Sequence, residues 1–245
     1  MRSQADRDTI VNNLRDPYIK ENILSPDEVQ ELIALYHAQE NKIQKNTGPV
    51  TSDITEMFNS HPLLQKIYDR IRAEVGECRI YTSFFFKVNT PHIIHNDDDK
   101  LGPLVYKAIT LPLEIEYVAE DTGYPYLCMF DQYYLEGPSK FFGGTTINIP
   151  TYYNTQVYEY SQVQNKSEQP FDMSAYGKYL THLKTFWLKG LSFQSAQEWK
   201  PGNGIVFDCV RLHCASNFIK QGIKSKLGLS IFTALNVDAV NEQTP

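Results

Sequence analysis

Two histidines and three aspartates crowd into PHIIHNDDDK, residues 91–100, directly after the aromatic run YTSFFFKV. On an extended backbone, residues i and i+2 project to one face. His95 and Asp97 can therefore address one ion while Asn96 points away. An imidazole and a carboxylate are two thirds of a 2-His-1-carboxylate set, which binds ferrous iron on one face and leaves the other open. A short H-x-D pattern also arises by chance, and an acidic loop packed against His92 or His95 would look the same. A third ligand decides between the two, and the chain offers only 6 histidines. His37 and His61 sit in or beside N-terminal helical patterns, and His182 lies in a later helical stretch. His213 stands just past a strand pattern, in KPGNGIVFDCVRLHCASNF, with a further strand following that carries Lys224 and Lys226. A dicarboxylate co-substrate needs such a cation, because its far carboxylate requires a charge-assisted partner.

The elements that would position these residues divide the chain in two. Before residue 77, SPDEVQELIALYHAQENKI opens with Ser25, Pro26 and Glu28, a capping box with proline at the first helical position. SHPLLQKIYDRIRAEVGE has Ser60 as candidate cap, an apolar stripe through Leu63, Leu64, Ile67 and Ile71, and Gly76 as its stop. From Cys78 on, short segments rich in β-branched and aromatic residues alternate with Gly, Pro, Asn and Asp, the texture of antiparallel strands. No helices alternate with them as a parallel sheet would require. The expected fold is mainly β with flanking α-helices. One polar then helical segment, from about Ser174 with Tyr179, Leu180, Leu183 and Trp187 on one side, reads as an insertion.

Bulk properties narrow the function classes. A chain of 245 residues with 42% hydrophobic content is globular and long enough for one sizeable domain. The net charge of -6 argues against a nucleic-acid partner or an anionic membrane surface, both of which need a cationic face. The four cysteines, Cys78, Cys128, Cys209 and Cys214, show no metal or disulfide spacing, and no stretch approaches 18 apolar residues. The polar start lacks the apolar core of a secretory signal, so a soluble, cytoplasmic protein is expected.

Taken in order, His95-x-Asp97, GGTT (143–146), PGNGIVF (201–207), His213 and GIK (222–224) resemble the Fe(II)- and 2-oxoglutarate-dependent oxygenases. The prolyl-4-hydroxylase-like branch is the most similar, and the likeness covers about 78–235. It implies a double-stranded β-helix (jelly roll, cupin-like) core at 78–235 behind a helical flank at 1–77, with the insertion at about 151–198, in one domain, 1–245. It implies His95, Asp97 and His213 as iron ligands, with Fe(II), 2-oxoglutarate and O2 as metal and co-substrates. Lys224 matches the basic position that binds the far carboxylate, with Lys226 in reserve on the same strand face and Lys107 below both. Most relatives have arginine there, and lysine lacks its bidentate fork. Tyr81, Ser83 and Phe85 alternate on the preceding strand; Tyr81 is a candidate for the co-substrate pocket, and core packing is the competing reading. His92 is expected to be structural, Asp98 and Asp99 a solvated or supporting margin, and Cys214 a small buried hydrophobe.

The implied activity is hydroxylation of an unactivated C–H bond on a small molecule or amino acid. A peptide prolyl hydroxylase and a non-catalytic cupin-like module are the alternatives. More than fifty residues separate GGTT from PGNG, longer than a compact prolyl hydroxylase needs. The tyrosine-rich start of that stretch (Tyr152, Tyr153, Tyr158, Tyr160) and its helix would form a lid over the metal or the interface of a homodimer.

Overall fold

In the computed structural model, residues 2–38, 50–54, 61–98, 104–118, 123–137, 139–140, 156–157 and 163–235 are described. The strand texture beginning at Cys78, joined by two short strands from before it, becomes two facing six-stranded sheets. Strands run β1 (Tyr18–Lys20), β2 (Val50–Ile54), β3 (Cys78–Val88), β4 (His95–Asn96), β5 (Val105–Tyr117) and β6 (Tyr126–Tyr133). They continue as β7 (Ser139–Lys140), β8 (Gln156–Val157), β9 (Phe193–Glu198), β10 (Gly204–Asp208), β11 (Arg211–Ala215) and β12 (Ile223–Leu235). One sheet has the order β1-β10-β5-β12-β3-β2, the other β8-β7-β4-β11-β6-β9. Nearly all pairings are antiparallel; β7 with β8 is parallel. The chain crosses from one sheet to the other at Cys209 and Val210, between β10 and β11. This is the expected jelly-roll sandwich.

Alternation along each strand decides what fills the three layers of side chains. Between the sheets lie Ala108, Leu127, Met129, Trp199, Ile205, Phe207 and Phe232, with Phe84 and Phe86 packed against them. The opposite parity of β3, β5 and β12 supplies Phe85, Ile109, Leu111, Leu229 and Ile231 to the outer face of the first sheet. Helices α2 (Pro26–Ala38) and α3 (Pro62–Val75) cover that face with Leu32, Leu64, Ile67 and Ile71. Ser25 and Glu28 close the capping box of α2, the amide of Glu28 donating to Ser25 Oγ at 3.3 Å and that of Ser25 to Glu28 Oε2 at 2.9 Å. For α3 the cap is His61, whose ring accepts from the Leu63 amide, and not Ser60, which lies outside the described residues. Gly76 ends α3 with φ at +92°, a conformation that favours glycine.

A further helix, α1 (Gln4–Asn12), was not expected from its polar sequence; Ser3 and Asp6 form its capping box. The helical insertion also differs from expectation. Among the described residues it gives only a turn of α-helix (Met173–Ala175), a π-turn (Tyr176–Leu180) and a 3₁₀ turn (Thr185–Leu188). Leu180, Leu183, Trp187, Leu188 and Leu191 are buried against Cys128, Phe130, Leu212 and Cys214, on the outer face of the second sheet. Packing onto a sheet can hold short irregular turns that propensity alone would not. Phe193–Glu198, at the end of that stretch, pairs with β6 as an edge strand. Tyr152, Tyr153, Tyr158, Tyr160 and the GGTT motif lie outside the described residues. No helix among the described residues is long and apolar enough to cross a membrane.

Phe85 shows how the helical layer is held: it is 1% exposed and meets Tyr36 edge-on, ring centroids 5.8 Å apart. Phe85→Ala should cost about 3–5 kcal/mol in urea unfolding, the range for a buried aromatic truncated to alanine.

Candidate functional site

His95, Asn96 and Asp97 begin as a strand too short to hold itself. The two-residue β4 lies between β11 and β7, with His95 opposite His213 on one side and Lys140 on the other. The Asn96 side chain points the other way and donates to the carbonyls of Tyr134 and Gly137, both at 3.2 Å. The Asp97 amide donates to the Cys209 carbonyl at 2.8 Å, tying the carboxylate's own backbone to the corner between the sheets. Of the two readings of Asp98, solvated or supporting, the structure gives a buried, supporting group: Arg2 pairs with its Oδ1 at 2.5 Å and the Gly137 amide donates to Oδ2 at 3.1 Å. A carboxylate buried between two donors is a supporting strut, not a solvated group. Asp99 lies outside the described residues.

This framework brings His95, Asp97 and His213 together, with one ligand atom from each within 4.8 Å of the others. His213 Nε2 stands 3.3 Å from Asp97 Oδ2, and His95 Nε2 3.6 Å from Asp97 Oδ1. The Nδ1 atoms face backbone carbonyls, His95 to Ile93 at 2.8 Å and His213 to Arg211 at 3.0 Å. A carbonyl only accepts, so each Nδ1 carries the proton and each Nε2 keeps its lone pair toward the centre. That tautomer is the one a metal-binding imidazole needs. Burial would raise the Asp97 carboxyl; positive charge on the His213 ring, then on the His95 ring, would outweigh it and hold the group below its ordinary value, a charge that a bound cation supplies when both rings are neutral. The three side chains could hold a divalent metal.

They line a cavity of about 180 Å³ between the sheets, with Phe84, Phe86, Leu127, Thr110, Trp199, Ser230 and Lys226 among its walls. His92 lines it too, its ring centroid 4.1 Å from that of His95. The lysines separate sharply. Lys224, the first choice from sequence, has a side chain 64% exposed and pairs with Glu116 at 2.5 Å. Lys226, the reserve, is 3% exposed and lines the cavity. The sequence placed both on one strand face, but β12 carries a bulge against β5. Ile223 faces Tyr117 and Ser225 faces Glu116, so Lys224 is the extra residue and the alternation breaks there. Lys107, ranked below both, is buried against Asp208, with Nζ donating to the Asn13 carbonyl at 3.1 Å, and is not among the residues that line the cavity.

Tyr81 is likewise displaced. Thr82 faces Phe232 and Ile80 faces Thr233, leaving Tyr81 as the extra residue of a second irregularity, 39% exposed. Ser83 hydrogen-bonds Tyr68 of α3 at 2.5 Å and Phe85 packs on the helices, so the cavity-facing residues of β3 are Phe84, Phe86 and Val88. Cys214 is fully buried on the face of β11 opposite His213. Two cavity features were missed. Trp199 lies under Lys226, its ring centroid 3.8 Å from Nζ. Gly228, two residues beyond Lys226, is where a Cβ would come within 2.7 Å of the Phe86 ring and 2.8 Å of the Trp199 ring. A glycine inside a strand pattern signals such close approach, and LGLSIF carries that signal.

No family model matches the sequence, and no curated protein matches it. Solved structures do. The non-heme alpha-ketoglutarate-dependent epimerase SnoN from nogalamycin biosynthesis aligns with 95% of this chain and 84% of its own, at a TM-score of 0.50 and 9% identity. The carbocyclase SnoK, from the same biosynthesis, aligns with 100% and 92%, at a TM-score of 0.50 and 13% identity. The chain has the fold of the non-haem, 2-oxoglutarate-dependent enzymes. At such low identity the likeness speaks to the fold alone, and the chemistry must be argued from the side chains just described.

Burial, opposed weakly by the thiols of Cys128 and Cys214, brings the Lys226 amine down from 10.5 to about 7. Because the folded value lies below the unfolded one, the desolvation cost is full below pH 7 and fades as pH rises toward 10.5. The full cost is on the order of 5 kcal/mol. Lys226→Met should therefore unfold at higher urea than wild type at pH 6, with the difference vanishing near pH 10.

Proposed function

We propose that this protein is an Fe(II)- and 2-oxoglutarate-dependent dioxygenase that hydroxylates an unactivated C–H bond, on a small molecule or amino acid. The observation that carries this reading is the convergence, in one cavity, of two imidazoles with fixed Nε2 lone pairs, one carboxylate and one buried lysine. His95, Asp97 and His213 would hold the iron; neutral nitrogen and carboxylate donors suit a ferrous ion. Held there together with 2-oxoglutarate and O2, iron would supply the oxidising power for C–H cleavage, with 2-oxoglutarate converted to succinate and CO2.

The chain's own residues do the rest. The carbonyls of Ile93 and Arg211 hold both ligand rings in one tautomer and one orientation. Lys226 offers the far carboxylate of 2-oxoglutarate a cation in a site of low dielectric, where a charge pair counts for more than at the surface. Lys224, already paired with Glu116 on the outside, is unsuited to that role. Phe84, Phe86, Leu127 and Phe232 make the walls apolar, which keeps water from the reacting centre. Asp97 supports hydroxylation over halogenation, since halogenases of this resemblance carry a small residue there to admit chloride. The small-molecule reading draws support from SnoN, solved in complex with Fe3+, alpha ketoglutarate and nogalamycin RO. A non-catalytic cupin-like module has no use for a buried lysine facing a metal site.

Loading with Fe(II) under nitrogen and then admitting oxygen should yield succinate from 2-oxoglutarate, even without the true substrate. His213→Ala should abolish it; an equal background in that variant would sink the oxygenase reading.

Lys226→Ala should raise the KM for 2-oxoglutarate by about tenfold or more, and Lys224→Ala by less than about twofold, as befits a buried against an exposed charge pair. For wild type, affinity should be flat below about pH 7 and fall by up to about tenfold per unit above it, as the Lys226 amine loses its proton. Equal losses in the two lysine variants would remove Lys226 from the site.

A further inference from the structure

The corner between the two sheets holds a cluster of charge that the proposed chemistry does not use. Asp208, the last residue of β10, is buried, and so are Lys107 and Arg211 beside it. Lys107 stands directly opposite Asp208 on β5, and its Nζ pairs with Asp208 Oδ1. Asp208 Oδ2 accepts from the Arg15 amide at 2.9 Å and lies 3.7 Å from the Arg211 guanidinium. One carboxylate on β10 thus ties together β5, β11 and the N-terminal segment. The guanidinium donates further to the carbonyls of Phe130 at 3.2 Å and Arg15 at 3.1 Å, and to Gln194 Oε1 at 3.0 Å. Two backbone carbonyls of the same corner serve the candidate ligands. That of Cys209 accepts the Asp97 amide at 2.8 Å, and that of Arg211 faces His213 Nδ1 at 3.0 Å.

We propose that Asp208 is a positioning residue for the metal. By holding the turn from Asp208 to Arg211 in one conformation, it fixes the two carbonyls that orient the Asp97 carboxylate and the His213 ring. It touches neither the metal nor the co-substrate. A corner that served stability alone would be closed at less cost by apolar residues, since burying a carboxylate with two cations gains little net energy. What a satisfied buried polar network does supply is a single rigid arrangement. Here that arrangement sets ligands from two strands, β4 and β11, against one centre, and partners behind a metal ligand tune how tightly the metal is held. This inference rests on the reading of His95, Asp97 and His213 as metal ligands and adds to it the group that aligns them.

The test reads metal affinity on folded protein, by titrating Zn(II) against a chelating dye, and ligand geometry, from the absorption bands of the Co(II)-loaded protein. Asp208→Asn keeps the shape of the side chain and removes its charge. It should bind Zn(II) about tenfold to a hundredfold more weakly than wild type, the usual cost of losing a partner behind a metal ligand, and should shift the Co(II) bands. Phe85→Ala, which weakens the helical layer on the outer face of the first sheet, should leave affinity and bands unchanged. Asp208→Asn also strands the Lys107 ammonium, so a second variant combines it with Lys107→Met and removes both charges. Replacing a buried ion pair with neutral groups is often neutral or stabilising. The double variant should therefore unfold at the same urea concentration as wild type or higher, yet bind Zn(II) as weakly as Asp208→Asn. Wild-type affinity and unshifted Co(II) bands in the double variant would overturn the role of Asp208 and leave the ligand assignment intact. Wild-type affinity in His213→Ala would overturn both.

Discussion

Everything at the site depends on one cross-strand pairing: His95 opposite His213, on strands that start more than a hundred residues apart in sequence. Neighbouring strands are spaced by their backbone hydrogen bonds, so two side chains on the same face of such a pair are brought within a few ångström without any attraction between them. That matters because three metal-binding groups without their ion gain little from each other's company. The sheet does the gathering. β11 is buried throughout and paired on both sides, to β4 and to β6, so it is the rigid partner. β4 is the weak one, and it is reinforced from every direction open to it: the Asn96 side chain, the Asp97 amide on the Cys209 carbonyl, and Asp98 on Arg2 and Gly137. Polar groups flanking the ligands are thus satisfied by protein, and the ligands' own Nε2 and carboxylate oxygens are the ones left facing inward.

The same logic explains why the N-terminal segment belongs to the site although it carries none of its ligands. Arg2 reaches Asp98, Arg7 reaches Glu136, the Asn13 carbonyl accepts from Lys107, and Arg15 gives its amide to Asp208 and its carbonyl to Arg211. Three of these contacts fall beside Asp97 (Asp98), at the end of β10 (Asp208) and two residues before His213 (Arg211). Lys107 and Asp208 form a buried pair whose cost is moderated by further hydrogen bonds from this segment, the condition under which a buried ion pair is tolerable. Burial and the partner charge pull the Lys107 amine in opposite directions, and burial prevails, holding it below its ordinary value.

How much of this could be read beforehand follows from the range of the interaction in question. Ser25 with Glu28, the stripe Leu64, Ile67, Ile71 and the stop at Gly76 are local patterns, and they form the helices they announce. The strand parity of His95, Asn96 and Asp97 is local as well, and it holds. The pairing of His95 with His213 is not local; it was legible only because residue type left few candidates and a family order supplied the rest. Lys224 shows the opposite limit. Its match to a motif was sound by spacing, yet one inserted residue in the ladder with β5 turned it outward. A bulge is set by the register of the partner strand, which no window around Lys224 contains. The choice between a solvated and a supporting Asp98 stayed open for a similar reason, since its counter-ion is Arg2, at the far end of the chain.

The bulge also answers why a lysine so costly to bury sits where it does. Had β12 kept strict alternation, Lys224 and Lys226 would share one face, and both would be wet or both buried. One displaced residue puts Lys224 on Glu116 in solvent and sends Lys226 inward alone, onto the Trp199 ring. The next inward position is Gly228, and only a residue without Cβ leaves the Trp199 and Phe86 rings room to close around that ammonium. The one after is Ser230, opposite Thr110 on β5, so the wall becomes hydroxylated beyond the aromatic shelf. Four alternate positions of one strand thus run cation, gap, hydroxyl and, at Phe232, aromatic. A protein gains no stability from an unpaired buried ammonium. A strand irregularity that places one at the wall of a cavity also lined by three candidate metal ligands is therefore best understood as shaped by what the cavity binds.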